Sequence, residues 1–232
     1  RYPPYSRGYQ AGTRMSAATA VLFDLDDTLY AEKDYQLSGW RAVARHAEQF
    51  GVPYGEAMSL MLGADNAFDA LHARVPAMEV RLMLDIYRTH MPELHVSGHV
   101  KCVLAALRER GCGVGIITDG RSISQRNKIS SLELEAYVDY ISVSEEIGAD
   151  KLKVLPFELA AAHFSGCREF WYVGDNPAKD FLWPNRLGWH TVMLKERHPG
   201  ANVHPQTGAL KTPEHAPQYR VAELPELLRL IR

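Results

Sequence analysis

Polar side chains that could hold a cation or react with a substrate follow three apolar runs of the chain, each at the point where the run ends. They are Asp24, Asp26 and Thr28 after the first run, Thr118 at the end of the second, and Asp175 and Asp180 after a later one. If the runs are parallel strands joined by right-handed crossovers, their carboxyl ends lie at one edge of a sheet, where ligands bind in open α/β folds. The sequence therefore predicts a polar site at that edge.

Carboxylates packed this closely repel one another unless a cation neutralises them. An all-oxygen set suits Mg²⁺, which binds carboxylates, waters and substrate phosphate together. Phosphoryl transfer depends mainly on charge neutralisation and positioning, so the groups it needs are a metal, a hydroxyl and a lysine. Lys151 lies where a third crossover begins and can supply the lysine. The pattern therefore favours Mg²⁺-dependent phosphoryl transfer.

Each of these motifs also has an ordinary structural interpretation. Asp27 or Thr28 can cap the next helix. The sequences Thr118-Asp119-Gly120 and Gly174-Asp175-Asn176-Pro177 are typical of turns. Their joint occurrence, in this order and at strand ends, favours a functional site over unrelated turns.

The hydrophobic pattern divides the chain into a helical stretch and a stretch in which helices and strands alternate. Between residues 31 and 96 it predicts helices at about 34–50, 54–72 and 77–90 and no strand, which indicates a helical insert. From residue 97 it predicts helices at about 98–110, 122–132, 152–164, 178–187 and 223–231, strands at 113–117, 138–143, 170–173, 190–194 and 219–221, and a loop at 196–218. This alternation is typical of a parallel sheet with helical crossovers.

Composition and charge limit the partners of the chain. The formal net charge of −2 argues against nucleic acid or anionic lipid, since both favour a strongly basic surface. No run approaches the roughly 18 apolar residues of a membrane span, and the N-terminal stretch lacks the apolar core of a secretory signal. We therefore expect a cytoplasmic protein with a small-molecule partner and no membrane contact. Residues 1–18 are expected to form a disordered leader or to be a remnant of cloning.

At the motif residues the chain resembles the haloacid dehalogenase (HAD) superfamily, and specifically its metal-dependent phosphatases with a helical C1-type cap. Four motifs match in order, from about Val21 onward: Asp24-x-Asp26-x-Thr28, Thr118, Lys151 and Gly174-Asp175-x4-Asp180. The resemblance implies an α/β, Rossmann-like core formed by residues 19–30 and 97–232, with an all-helical cap at 31–96. It also implies Mg²⁺-dependent hydrolysis of a small phosphate ester, such as a sugar phosphate or a nucleotide.

The resemblance implies a covalent route. Asp24 would attack phosphorus and form an aspartyl-phosphate, which divides one hard step into two. Asp26 would act first as general acid for the leaving alcohol and then as general base for water. Thr28 is expected to be structural.

The same resemblance implies the ligands of the metal and the phosphate. The metal ligands would be Asp24, the backbone carbonyl of Asp26 and Asp175, with Asp180 binding the metal directly or through another ligand. The phosphate ligands would be Thr118, the amides of Asp119 and Gly120, and Lys151, which offsets charge and orders the nucleophile.

The chain departs from the family pattern at two of these positions. Lys151 is followed by Leu152-Lys153-Val154, whereas family members often have Pro-Asp-Pro, so a shifted register would make Lys153 the catalytic lysine. We assign the role to Lys151, because Phe157-Glu158-Leu159-Ala160 follows it at the expected distance. Asp119 replaces the commoner Asn and adds a carboxylate near the phosphate.

Substrate selection would depend on the cap, whose sequence does not identify the substrate. The candidates near the first strand are Tyr30, Lys33, Tyr35, Trp40 and Arg41. Each of them is also consistent with the surface or the core of the cap.

Other functions remain open at this point. A phosphomutase or phosphotransferase could use the same aspartyl-phosphate, and a non-catalytic interaction protein could be built on the same scaffold. A dehalogenase needs no metal and normally lacks the second aspartate, so Asp26, Asp175 and Asp180 argue against it. A receiver module would have no helical insert of roughly 65 residues after its first strand. We expect a monomer or a homodimer.

Overall fold

A six-stranded parallel sheet forms the centre of the protein. The computed structural model describes residues 18–198, 200–204, 206 and 212–231. The strands are β1 (Thr19–Phe23), β2 (Gly113–Thr118), β3 (Tyr140–Val143), β4 (Glu169–Gly174), β5 (His190–Leu194) and β6 (Tyr219–Val221), in the spatial order β3-β2-β1-β4-β5-β6. The predicted α/β fold is confirmed. The predicted leader lies outside the described residues, except for Ala18.

Strand β1 is buried on both faces, because its apolar side chains point in turn to the two faces of the sheet and helices cover each face. Val21 and Phe23 belong to one hydrophobic cluster, and Ala20 and Leu22 belong to another. The first cluster includes residues of α5 (Gly98–Glu109), and the second includes residues of α8 (Leu155–His163). Continuous burial of this kind is typical of parallel sheets covered on both faces.

The strand order brings the predicted motif residues to one edge of the sheet. Strand β1 lies between β2 and β4, and Phe23 is in register with Ile116 on one side and Val173 on the other. All three strands run in the same direction, so the residues after them emerge at the same edge.

All regular elements between residues 31 and 96 are helices. Its helices are α1 (Glu32–Ala47), α2 (Tyr54–Leu62), α3 (Ala67–Arg74) and α4 (Val80–Thr89), with a short 3-10 turn at Glu48–Phe50. They pack around their own hydrophobic cluster, which includes Val43, Met61 and Leu71. We call these four helices the helical insert. Their separation from the rest as a cap domain stays a prediction.

One predicted helix of the insert is wrong. The stretch 54–72 is not one helix but two, α2 and α3. The Asn66 side chain accepts hydrogen bonds from the amides of Phe68 and Asp69 at 3.2 and 3.3 Å and so begins α3. Asn competes with a continuous helix in this way because its side chain satisfies the first free amides.

The remaining helices are α6 (Ser122–Ser131), α7 (Ser144–Ile147), α9 (Leu182–Arg186) and α10 (Leu227–Leu230). Three of the predicted helices are shorter than expected. Turns occupy residues 151–154 and 177–180, so α8 and α9 begin late, and a 3-10 turn at Leu224–Glu226 precedes α10. The short helix α7 was not predicted. Within the described ranges, no helix has the length and apolarity needed to cross a membrane.

Candidate active site

A cleft of about 130 Å³ opens at the carboxyl edge of the sheet. We call it the acidic cleft, and its lining residues are Asp24, Asp26, Asp27, Glu32, Asp119, Lys151, Asp175, Asn176, Lys179 and His204. Six of these side chains carry carboxylates and two carry ammonium groups. Such an excess of negative charge in a partly enclosed space is relieved by protonation or by a bound cation.

Asp24 extends the ladder of β1 by one residue and presents its carboxylate to the cleft. Its amide donates to the Val173 carbonyl at 2.8 Å, and Oδ2 lies 2.8 Å from the Lys151 Nζ. Burial raises the pKa of Asp24 to about 7, although the Lys151 ammonium acts in the opposite direction. The cost of burying this carboxylate is therefore only partly offset by its lysine.

Three carboxylates converge beneath the cleft. One oxygen from each of Asp24, Asp175 and Asp180 lies within 4.8 Å of the other two, and all three residues are buried. Burial, with the Asp180 and Asp24 carboxylates, raises the pKa of Asp175 to about 8. Closely spaced carboxylate oxygens without His or Cys form a donor set that fits a hard divalent cation such as Mg²⁺.

Gly174 makes room for this convergence at the end of β4. A Cβ atom on residue 174 would lie 2.7 Å from the Asp180 Cγ, a separation that real Cβ atoms do not show. Asp180 Oδ2 accepts a hydrogen bond from the Asn176 amide at 2.8 Å, which closes the turn between them. The Gly-Asp-x4-Asp spacing therefore has a steric basis.

Lys151 lies in the centre of the site. Its side chain is 2% exposed, and Nζ contacts Asp180 Oδ1 at 2.7 Å as well as Asp24. Burial alone would lower the pKa of Lys151, but Asp180 and Asp24 raise it well above its usual range. Lys153 is exposed and is not among the lining residues. The geometry therefore places Lys151, and not Lys153, beside the carboxylates.

The predicted phosphate ligands after β2 differ in their placement. Thr118 is buried, and its Oγ1 accepts a hydrogen bond from Gln125 Nε2 at 2.5 Å. Asp119 lines the cleft, and its Oδ1 accepts from the Lys151 amide at 3.0 Å. The Gly120 amide donates to Ser144 Oγ at 2.9 Å, so this N–H is already engaged.

Asp26 is held by donors that the motifs do not include. Lys128 Nζ lies 2.8 Å from its Oδ1, Gln125 Nε2 donates to its Oδ2 at 2.9 Å, and the Tyr30 hydroxyl donates to Oδ1. Burial acts to raise the pKa of Asp26, but Lys128 and the hydrogen bonds hold it below its usual value. In the described structure the Asp26 side chain is therefore not part of the carboxylate cluster.

The predicted substrate-binding residues are spread over different environments. Tyr30 is buried against Asp26, and the Lys33 ammonium donates to the Gly200 carbonyl. The Tyr35 ring is also buried, and it packs between the insert and the core, against the Tyr87 ring and the Lys128 ammonium. Trp40 packs against the insert cluster, and neither Trp40 nor Arg41 is among the described residues that line the cleft. The role of these five residues in substrate binding stays a prediction.

Several residues near the cleft were not predicted. Asn202 Nδ2 donates to Asp175 Oδ2, and the Val203 amide donates to Asp27 Oδ2, both at 2.7 Å. Asp27 adopts a left-handed conformation with φ of 53°, which Asp tolerates better than most residues. Contacts between such distant segments have no local sequence signal. Lys179, in contrast, did have a local sequence signal, since it lies inside the Asp175-x4-Asp180 spacing.

The motifs and their geometry agree with one family profile. Residues 21–194 match the family described as haloacid dehalogenase-like hydrolase. The chain belongs to this family.

Curated relatives and a solved structure resemble this HAD-like hydrolase over most of its length. A glyceraldehyde 3-phosphate phosphatase from Methanopyrus kandleri is 28% identical, covering 92% of this chain and 97% of the relative. A ribulose-1,5-bisphosphate 5-phosphatase from Halopiger xanaduensis is 29% identical, covering 76% and 84%. The magnesium-bound HAD hydrolase YfnB from Bacillus subtilis has a TM-score of 0.63 at 18% identity, covering 94% and 100%, which supports the fold.

Proposed function

We propose that the protein is a Mg²⁺-dependent phosphomonoester hydrolase acting on a small sugar phosphate. The observation that carries the proposal is the convergence of Asp24, Asp175 and Asp180 within 4.8 Å of one another around Lys151. A buried lysine and three carboxylates that follow two different strands have no structural need to meet at a ligand-binding edge. They match the requirements of phosphoryl transfer for charge neutralisation and positioning.

The carboxylate cluster would hold the metal. Asp24 and Asp175 line the acidic cleft, whereas Asp180 is not among its lining residues and accepts hydrogen bonds from Lys151 Nζ and the Asn176 amide. We therefore assign Asp24 and Asp175 as the principal side-chain ligands, with the Asp26 carbonyl as the backbone ligand and Asp180 in support. When bound, Mg²⁺ supplies positive charge that offsets the phosphate oxygens.

The reaction would proceed in two steps on this chain's own residues. An Asp24 carboxylate oxygen forms a bond to phosphorus while the ester P–O bond breaks, and Asp26 gives a proton to the departing alcohol. Water then attacks phosphorus, Asp26 takes the proton from that water, and the Asp24 carboxylate is released with inorganic phosphate. Dividing the reaction in this way replaces one difficult displacement by two easier ones.

The phosphate group would be held between β2 and Lys151. Thr118 Oγ1 already accepts a hydrogen bond from Gln125, so the Thr118 hydroxyl proton remains available for a phosphate oxygen. The Lys151 ammonium beside Asp24 reduces the repulsion between this carboxylate and the phosphate it attacks.

The size of the cleft and the names of the relatives favour a short sugar phosphate over a nucleotide. The cleft volume of about 130 Å³ is below the roughly 300–1,000 Å³ typical of sites for larger ligands. The relatives in Methanopyrus kandleri and Halopiger xanaduensis are named for sugar phosphates. Both observations support the same substrate class.

The proposal is tested by comparing parent and Asp24→Asn proteins on glyceraldehyde 3-phosphate, ribulose 1,5-bisphosphate, AMP and p-nitrophenyl phosphate with Mg²⁺. We expect turnover by the parent, a preference for a sugar phosphate, and no turnover by the variant. Matching melting temperatures serve as the folding control. Equal turnover by both proteins rejects the mechanism, and a preference for AMP rejects the substrate class.

A further inference from the structure

Two ammonium groups line the acidic cleft, and they differ in their surroundings. Lys151 is 2% exposed and lies between Asp24 and Asp180, at 2.8 and 2.7 Å from their oxygens. The Lys179 side chain is 34% exposed. We infer that Lys179 is a specificity-determining residue whose ammonium binds a second anionic group of the substrate, a carboxylate or a second phosphate. This inference rests on the proposed phosphatase function and narrows its substrate class.

The Lys179 ammonium has free donors. Within the described ranges its one ion pair is with Asp119, whose Oδ2 lies 3.9 Å from Nζ. This separation is longer than a hydrogen bond, and an ammonium carries three N–H donors. Lys179 can therefore donate to substrate oxygens without losing a hydrogen bond to the described part of the chain.

The backbone of Lys179 is fixed in a closed turn at the end of β4. The Asn176 carbonyl accepts hydrogen bonds from the amides of Lys179 and Asp180 at 3.1 and 3.0 Å. The Asn176 side chain accepts from the Ala178 amide at 3.0 Å, and Asp180 Oδ2 accepts from the Asn176 amide at 2.8 Å. These four hydrogen bonds set the point from which the Lys179 side chain extends into the cleft.

Asp119 holds the ammonium on the β2 side of the cleft. Its Oδ1 accepts from the Lys151 amide at 3.0 Å, which fixes the carboxylate, and its Oδ2 faces Lys179. Asp119 directly follows Thr118, the predicted ligand of the transferred phosphate. The Lys179 ammonium thus lies beside the phosphate site, and its partner leaves its donors free.

The difference in exposure separates the roles of the two lysines. Lys151 lies deep in the cleft, against the proposed nucleophile Asp24. Lys179 is the more exposed lysine, so it lies nearer to the mouth, where the part of the substrate beyond the transferred phosphate would be placed. Six carboxylates line the same cleft, so a second anionic group is repelled except near this ammonium.

The size of the cleft limits how far this second group lies from the ester. A cleft of about 130 Å³ accommodates a short carbon chain between the two anionic groups. The expected substrates are therefore phosphorylated sugar acids or sugar bisphosphates with a short chain. A neutral sugar phosphate of the same length lacks a group for Lys179 to bind.

The experiment measures kcat and KM with Mg²⁺ for two pairs of substrates, each pair differing in one anionic group. Glyceraldehyde 3-phosphate and 3-phosphoglycerate differ by an aldehyde against a carboxylate. Ribulose 5-phosphate and ribulose 1,5-bisphosphate differ by a hydroxyl against a phosphate. The pair that responds to substitution of Lys179 identifies which anionic group the ammonium binds.

We expect Lys179→Met to raise KM about 10-fold for the more charged member of the responding pair, with kcat within about 2-fold of the parent value. Both constants for the less charged member should change less than about 2-fold. Such binding is equal in the ground state and the transition state, so its loss appears in KM. Lys179→Arg should keep a KM close to that of the parent. Lys153→Met, at an exposed position that does not line the cleft, is the matched control and should behave as the parent.

An Asp119→Asn background tests the alternative that Lys179 only offsets the charge of Asp119. The asparagine oxygen can still accept from the Lys151 amide, so the substitution removes the charge and keeps this acceptor. In this background Lys179→Met should still raise KM for the more charged member. A double variant with the KM values of the parent would mean that charge compensation is the whole role of Lys179.

The outcomes separate this inference from the proposed function. Equal changes for both members of each pair, or no change, in whichever of Lys179→Met and Lys179→Gln folds, would overturn it. A parent that hydrolyses p-nitrophenyl phosphate but neither 3-phosphoglycerate nor ribulose 1,5-bisphosphate would also overturn it. Absence of turnover by the parent on all five esters would instead reject the phosphatase proposal.

Discussion

Lys151 and Asp180 form an ion pair with a separation of 2.7 Å and almost no exposure to solvent, 2% and 0% for the two side chains. The same ammonium contacts Asp24 at 2.8 Å, so Asp180 holds the lysine from behind while Asp24 faces the cleft. Removing one partner of such a pair leaves a buried charge uncompensated. The position of Asp24 thus depends on a residue that has no access to substrate.

Replacing Lys151 should therefore abolish activity, and Lys153 offers a matched control. Lys151→Met removes the cation between Asp24 and Asp180, and we expect kcat on p-nitrophenyl phosphate to fall at least about 100-fold. Lys153→Met changes the same residue type at an exposed position two residues away, and kcat should stay at the parent level. A large loss in Lys153→Met with full activity in Lys151→Met would reverse the assignment.

Metal binding should strengthen as pH rises through the pKa values of the cluster. Burial raises the pKa of Asp24 to about 7 and that of Asp175 to about 8. In the unfolded chain these aspartates have a pKa of 3.8, so the folded protein without metal keeps protons that the unfolded chain has already lost. The stability of the folded protein should therefore fall as pH rises from about 4 to about 8. Mg²⁺ needs the ionised carboxylates and reverses this loss.

The measurement is the melting temperature with and without Mg²⁺ at pH 6 and pH 8. We expect the increase caused by Mg²⁺ to be larger at pH 8, because fewer protons then compete for Asp24 and Asp175. Asp175→Asn serves as the control and should remove most of the increase at both pH values. Equal increases at pH 6 and pH 8 in the parent would contradict the linkage.

The motif residues were predictable because their positions depend on local pattern and on one rule of topology. Apolar runs that end in Asp24, Thr118 and Asp175 mark strand ends, and parallel strands place those ends together. Lys128 was not predictable in the same way, because its contact with Asp26 joins residues 102 positions apart. A lysine on a helix is more often solvated than buried, and only the tertiary structure shows that α6 turns this one inward.

The helical insert shows which feature of a helical region the sequence did not predict. Its helical character followed from apolar spacing, but the break between α2 and α3 depends on side-chain hydrogen bonds of Asn66. Helical periodicity continues on both sides of the break, so the pattern of apolar residues does not reveal it.

Asn202 should tune the metal site through Asp175. Its Nδ2 donates to Asp175 Oδ2 at 2.7 Å, and this hydrogen bond counteracts the rise in the pKa of Asp175. Removing a donor to a metal-binding carboxylate typically weakens metal affinity about 10- to 100-fold, so we expect such a loss of Mg²⁺ affinity in Asn202→Ala near pH 7. Titration calorimetry with Mg²⁺ measures it directly.

A second variant in the same segment serves as the control for Asn202. Gln206 donates to the Leu194 carbonyl at 2.7 Å and makes no described contact with Asp175. Gln206→Ala should therefore leave Mg²⁺ affinity close to that of the parent. If both variants weaken Mg²⁺ binding equally, the packing of the segment, and not the hydrogen bond to Asp175, is responsible.

Gly39 should be required for the helical insert, because the Tyr87 ring of α4 packs directly against this position of α1. A Cβ atom on residue 39 would lie 2.5 Å from Cε2 of the Tyr87 ring. We expect Gly39→Ala to lower the free energy of unfolding by about 1–3 kcal/mol, as overpacking in a tight interface does. Gly55→Ala is the matched control, since a Cβ atom there meets nothing within 4 Å and should stabilise helix α2 slightly. Urea unfolding of both variants measures the difference, and an equal effect of the two substitutions would show that the α1–α4 contact tolerates a side chain.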